Sequence, residues 1–261
     1  VPQIAYYFWA YAVLAEKGAI APGESIDFVV PTGNFGDILA GYYAKRMGLP
    51  VRKLVCASNA NRVLTDFFET GVYDKNRPFH KTASPSMDIL ISSNLERLLF
   101  EASGRDPKAV SAWMEALKKE GRYDVGEEVL KRINEDFSAG CAEEGEAAAA
   151  LRSVFERTGA VLDPHTAVAQ AVYDRVKDGT PAVVLSTASP YKFPQDVLIA
   201  IDPEKHPPKD GFLAAQALSE RTNTRIPAQI LALRDAPVRF FQSCEKGEME
   251  SALFEALARW S

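Results

Sequence analysis

The stretch Pro31-Thr32-Gly33-Asn34-Phe35-Gly36-Asp37 constrains the fold more than any other part of this chain. It follows Ile26 to Val30, a short apolar, β-branched run that reads as a buried strand. It precedes ILAGYYAKRMG, a helix that stops at Gly48. A glycine-bearing turn between a buried strand and a helix belongs at the carboxyl edge of a parallel sheet, where α/β proteins bind ligands. Gly33 and Gly36 let the backbone take unusual angles and approach a ligand closely. The helix start offers unpaired N–H groups and the positive end of its dipole, which together make an anion site. Read alone, the pattern leaves two alternatives open: a phosphate cradle, or a loop that merely starts a helix. No Gly-Lys-Ser/Thr follows, so it is not a P-loop, and GxGxxG is absent, which argues against a dinucleotide.

The neighbouring segments continue the alternation. Leu49 to Ala57 reads as a second strand and Asn59 to Thr70 as a helix stopped by Gly71. Residues 74–103 are irregular until a helix near Leu95 to Ala102. Residues 107–158 are charged and helical in character. Asp163 and Pro164 then open a capped helix running to Lys177, and Pro181 to Ser186 reads as a strand. The segment STASP that follows also lies at a strand's carboxyl end. It is either near the first loop or a plain Ser/Thr turn. Arg239 to Ser243 is a candidate last strand and Glu248 to Trp260 a last helix. The boundaries expected are 1–103 for an α/β part, 104–160 for a helical insertion and 161–261 for the remainder with a C-terminal extension. The fold class is therefore α/β, a parallel sheet flanked by helices.

Composition excludes several classes of function. Net charge is −5 with no basic cluster, so nucleic acid is not the expected partner. The three cysteines, Cys56, Cys141 and Cys244, are far apart with no CxxC or Cys/His spacing, so no metal site is expected and the thiols read as reduced, in a cytoplasmic protein. The opening VPQIAYYFWAYAVLAEKG is too short and too aromatic for a membrane span, and lacks the basic flank and cleavage site of a signal peptide. Its apolar residues from Ala5 to Leu14 fall on nearly every face, as in a buried helix. The chain thus reads as opening inside a longer protein.

Four segments together carry a family resemblance: VVPTGNFGDILAGYYAKRMGLPV, TASPSMDILISSNLERLLFE, LDPHTAVA and STASPYKF. In that order they resemble threonine synthase, over roughly residues 1–200. The resemblance implies the large domain of a type II pyridoxal-phosphate (PLP) fold, here incomplete and with a helical insertion. It implies PLP as cofactor and O-phospho-L-homoserine as substrate, converted with water to L-threonine and phosphate. In that family the GNFGD loop holds the PLP phosphate, which here means Gly33, Asn34, Phe35, Gly36 and Asp37. Backbone N–H groups are expected to do most of this, with Asp37 capping the helix. The Ser or Thr that meets the pyridine nitrogen matches Thr187. The pattern after it reads Ser189-Pro190-Tyr191-Lys192 where the family often has His-Pro-Ala-Lys, so a role at 189 does not carry over.

The family's Schiff-base lysine lies upstream of GNFGD, and nothing here matches its segment. No catalytic residue is therefore assigned, and Lys192 does not take that place. His165 reads as a structural hydrogen-bonder, His80 and His206 as exposed, and Ser92, Ser93, Asn94 and Arg97 as further candidates for the cleft. The chain alone is expected to be inactive, and to self-associate through a face that includes Tyr6, Tyr7, Phe8 and Trp9. Two alternatives stay open: a non-catalytic remnant that binds a phosphate ligand, or another type II PLP lyase or dehydratase.

Overall fold

The computed structural model describes residues 2–239 and 241–259. In chain order the first elements are α1 (Ile4–Glu16), β1 (Ile26–Pro31), α2 (Gly36–Arg46), β2 (Val51–Ser58), α3 (Val63–Thr70) and β3 (Val72–Asp74). Next come α4 (Leu95–Ala102), α5 (Pro107–Lys119), β4 (Arg122–Asp124), α6 (Gly126–Asp136), β5 (Phe137–Cys141) and α7 (Glu144–Thr158). The remainder is α8 (Pro164–Val176), β6 (Ala182–Val184), α9 (Pro194–Ile201), α10 (Gly211–Thr222), α11 (Ala228–Ala232) and α12 (Met249–Ala258). Residues through Arg225 pack as one compact unit and those from Ile226 as another. No described helix is long and apolar enough to cross a membrane.

Four parallel strands in the order β5-β2-β1-β6 form the central sheet. Val29 at the middle of β1 lies between Val55 of β2 and Val184 of β6. All six residues of β1 are buried, as in a central strand covered on both faces, and the one charged residue among them, Asp27, is paired with Arg52. β3 and β4 form a separate antiparallel pair, in which Tyr73 and Tyr123 face each other with their rings stacked at 5.2 Å.

The segment 104–160, expected to be helical, contributes an edge strand to this sheet. β5 pairs with β2 from Phe137 to Cys141. Its residues are mostly small, so they carry no strand signal. The helix α8 explains the small residues: a Cβ on Gly140 would lie 2.9 Å from a methyl of Val172. Along 239–243, the described residues form no strand, against the expected one; Phe240 lies outside the described residues, as do Val1 and Trp260. α12 occupies the place of the expected last helix.

On the opening helix, Tyr6, Phe8 and Trp9 lie on an open face, whereas Tyr7, expected on the same face, does not. Only Tyr7 of α1 is fully buried, its ring edge-on to Phe28 at 4.9 Å. Tyr6 and Trp9 are exposed, at 63% and 72%. α3 starts at Val63, later than expected. Asn59 and Asn61, read as its first turn, are instead buried in a polar cluster with Thr82, Ser84 and Asp88. The core is aromatic beside β1 and β5: Phe35 packs on Phe68 and Phe137 at centroid separations of 6.1 and 5.8 Å.

Candidate functional site

β1 and β6 are parallel neighbours, so the loops that follow them leave the same edge of the sheet. Those two loops line one cleft of ≈ 310 Å³. Gly33, Asn34, Phe35, Gly36 and Asp37 come from the first loop and Thr187 from the second. All six residues singled out from sequence therefore border one space. The sequence separated them widely; the adjacency of β1 and β6 brings them together.

The loop's conformation follows from where its side chains and carbonyls are held. Phe35 buries its ring in the aromatic core and takes a left-handed backbone, φ 64° and ψ 0°. That conformation costs a non-glycine residue roughly 1–2 kcal/mol. Burying a Phe side chain contributes about 1.5–3 kcal/mol, enough to hold the strained turn. The Gly33 carbonyl accepts from Ser92 Oγ at 2.7 Å, and the Asn34 carbonyl accepts from Asn94 Nδ2 at 2.7 Å and its N–H at 3.2 Å. A planar trans peptide places the N–H opposite the C=O, so these anchors turn the N–H groups of Asn34 and Phe35 away from the 92–94 segment. No side chain caps α2 at Phe35, which leaves the first-turn N–H groups for another acceptor.

Gly33 is small for a different reason than ligand approach. A Cβ there would lie 2.5 Å from the carbonyl oxygen of Ser86 and 3.2 Å from Cα of Met87. The Pro85–Met87 turn is seated directly on the loop. Gly36 is freer, since its nearest neighbour would be Asn94 Nδ2 at 3.5 Å.

The comparisons with known proteins bear on the same segments. The family model described as "Threonine synthase, C-terminal" matches residues 166–243. The chain is 45% identical over 203 residues to "Threonine synthase-like 1" of Macaca fascicularis, covering 77% of this chain and 27% of that protein. It superposes on the crystal structure of PLP-bound threonine synthase from Brucella melitensis with a TM-score of 0.73 at 41% identity, covering 85% of this chain and 51% of the other. Against the crystal structure of threonine synthase from yeast the TM-score is 0.82 at 31% identity, over 98% of this chain and 52% of that one. The chain matches the C-terminal part of threonine synthases. It spans about half the length of the two solved members and about a quarter of the curated relative.

Within this chain, the charged groups around the cleft are few and mostly engaged. Asp37 does not cap α2, contrary to expectation. Its backbone carbonyl accepts from the Tyr7 hydroxyl at 2.8 Å and a carboxylate oxygen lies 3.3 Å from the same hydroxyl. Burial pushes the Asp37 carboxyl up and the Tyr7 hydrogen bond draws it part of the way back. Arg97, a candidate cleft residue, instead hydrogen-bonds Asn94 Oδ1. Ser92 and Asn94 hold the loop from behind and do not border the cleft. Ser189 accepts from the N–H of Tyr191 at 3.3 Å and so starts the short turn Pro190–Lys192.

Among the lining residues outside the assigned set, three bear on its chemistry. Gln3, at the start of α1, lines the cleft and is exposed. Lys192 lines it too, its ammonium 6.0 Å from the Phe193 ring centroid. His165 is 3% exposed, and its ring nitrogens meet Asp163 and Ser86. The helix-start signal at Asp163-Pro164 located His165; nothing in the sequence indicated Ser86 as its partner. His80 and His206 are exposed, in line with expectation.

Proposed function

We propose that this chain carries the cofactor-phosphate site of a PLP-dependent threonine synthase. The whole protein converts O-phospho-L-homoserine and water to L-threonine and phosphate. One observation carries the reading: the uncapped start of α2 and Thr187 border a single cleft. That donor set suits a phosphorylated pyridine. The N–H groups at the start of α2 and in the loop before it receive the phosphate, with the helix dipole favouring its charge. The Thr187 hydroxyl meets the ring nitrogen, and as a neutral partner it does not force that nitrogen to be protonated.

When bound, PLP supplies the electron sink for carbanion chemistry on an amino acid. The residues of this chain do the holding. Lys192 adds one positive charge at the mouth of the cleft. Tyr7 keeps the Asp37 carboxylate engaged beside an anion it would otherwise repel. No segment matches the family's lysine segment, so we assign no catalytic residue here and propose that the chain alone is inactive.

Binding of PLP compared with pyridoxal, measured by fluorescence titration, tests the cofactor reading. PLP is expected to bind at least about tenfold more tightly, since the phosphate provides charge-assisted hydrogen bonds. Equal affinity for the two would overturn the phosphate site. Turnover of phosphohomoserine by the purified chain with PLP, at the rate of an intact enzyme, would overturn the claim of inactivity.

A further inference from the structure

We propose that His165 is a positioning residue that sets the seat of the GNFGD loop through the Ser86 turn. The proposal rests on the reading of that loop as the cofactor-phosphate site. It concerns a part of the molecule that reading does not use.

The argument begins at Asp163, which is fully buried. Its Oδ1 accepts the His165 backbone N–H at 2.9 Å and faces His165 Nδ1 at 2.8 Å, while its Oδ2 accepts the Thr166 hydroxyl. A carboxylate can only accept, so Nδ1 carries the proton. Nε2 is then the acceptor, and it receives the Ser86 N–H at 3.1 Å. The ring is further confined by Phe193 at a centroid distance of 4.9 Å. Asp163 therefore selects the tautomer that can hold Ser86.

The second half of the relay is steric. The Ser86 carbonyl lies where a Cβ of Gly33 would be, at 2.5 Å, so turn and loop touch with no slack. The flanks of the turn are tied by Asn59 Nδ2, which donates to Ser84 Oγ at 3.0 Å and Asp88 Oδ1 at 2.7 Å. The turn itself is tied to α8 through His165. Ser92 and Asn94 pull the Gly33 and Asn34 carbonyls from one side, and the Ser86 turn bears on Gly33. If the Ser86 bond is lost, the turn is free to move and Gly33 loses its stop. The N–H groups of the loop then lose their alignment, and a site for a phosphate loses affinity with small displacements.

The test uses the full chain with His165→Leu, which removes the acceptor, and His165→Gln, which restores one near the Nε2 position. In His165→Leu, amide hydrogen exchange at residues 33–36 is expected to rise while that of β1 and β2 stays unchanged. His165→Gln should restore the protection. PLP affinity should fall about tenfold in His165→Leu, pyridoxal affinity should change less than about twofold, and His165→Gln should recover most of the loss. Should His165→Leu fail to fold, His165→Asn, whose shorter amide does not reach the Ser86 N–H, takes its place in the same exchange and binding measurements, with the same results expected.

Unchanged exchange in a folded His165→Leu protein overturns the proposal, as does equal weakening of PLP and pyridoxal. A wild-type chain that binds PLP no better than pyridoxal overturns the cofactor reading instead. In that case the loop-specific exchange result still decides whether His165 positions the loop.

Discussion

The hydroxyl of Tyr7 donates to the backbone carbonyl of Asp37 at 2.8 Å, tying the first helix to the first turn of the second. The Tyr7 side chain is 1% exposed, and burial together with the nearby Asp37 carboxylate pushes its hydroxyl well up, so it remains a donor. The helix that opens the chain thereby fixes the helix start that faces the cleft. Replacing Tyr7 by Phe should cost about 1–2 kcal/mol, the value of a largely buried hydrogen bond and its unsatisfied partner. The urea midpoint should fall with an unchanged slope. A wild-type midpoint would show that the bond is replaced by water.

Gly41 tests the same contact from the other helix. Gly→Ala within a helix normally gains up to about 1 kcal/mol. Here the new Cβ would lie 2.6 Å from Tyr7 Cε1 and 2.8 Å from Leu54 Cδ2. Overpacking of that kind costs about 1–3 kcal/mol and should win. Gly41→Ala is therefore expected to lower the thermal midpoint; a rise would mean that α1 shifts freely.

Thr187 is separable by chemistry. Thr187→Val keeps the shape and removes the hydroxyl, whereas Thr187→Ser keeps the hydroxyl. If the hydroxyl meets the pyridine nitrogen, only the Val variant should shift the absorption of bound PLP and weaken its binding, by about tenfold. Equal spectra for both variants would remove Thr187 from the site.

Asp163 predicts a pH dependence of stability. Burial pushes its carboxyl up, but hydrogen bonds from the His165 ring, the Thr166 hydroxyl and the His165 N–H outweigh burial and hold it below its ordinary value. Its contribution is complete above about pH 3.9, the unfolded value. It is lost as pH falls through the lower, folded value. Asp163→Asn, which does not titrate, should show a flatter acid limb in denaturation midpoints measured from pH 6 downwards. Asp163→Ala should cost about 2–4 kcal/mol at neutral pH, by loss of the cap and of buried partners.

The exposed side of α1 predicts association. Tyr6 and Trp9 present large apolar surfaces at 63% and 72% exposure, with Phe8 at 36%. Such patches favour contact with another apolar surface. The isolated chain is expected to sediment above monomer mass at micromolar concentration, and Tyr6→Lys with Trp9→Lys should return it to monomer. A wild-type monomer would count against it.

Much of the site was legible because its physics is local. A β-branched run, a glycine turn and an apolar helix in succession specify β1, the loop and α2, and the same logic located α8 through Asp163-Pro164. β5 was not legible. Phe137–Cys141 lacks branched residues because α8 crosses it, a fact of packing that no local pattern carries. The burial of Tyr7 was not legible for a similar reason: apolar residues mark what can be buried, not which of them a neighbouring surface covers.

From sequence alone came the parallel α/β class, the loop Gly33–Asp37, Thr187 as its companion and the family resemblance. The class and the loop depend on residue order along strand-turn-helix units, whereas Thr187 and the resemblance depend on four segments read together. Only the tertiary structure decided that the two loops share a cleft, because that requires β1 and β6 to be neighbours. It alone decided that Gly33 is small to admit the Ser86 turn. It also decided that Asp37 answers to Tyr7 and that His165 answers to Ser86. These relationships join residues far apart in the chain, where directional hydrogen bonds and hard contacts, not periodicity, set the partner.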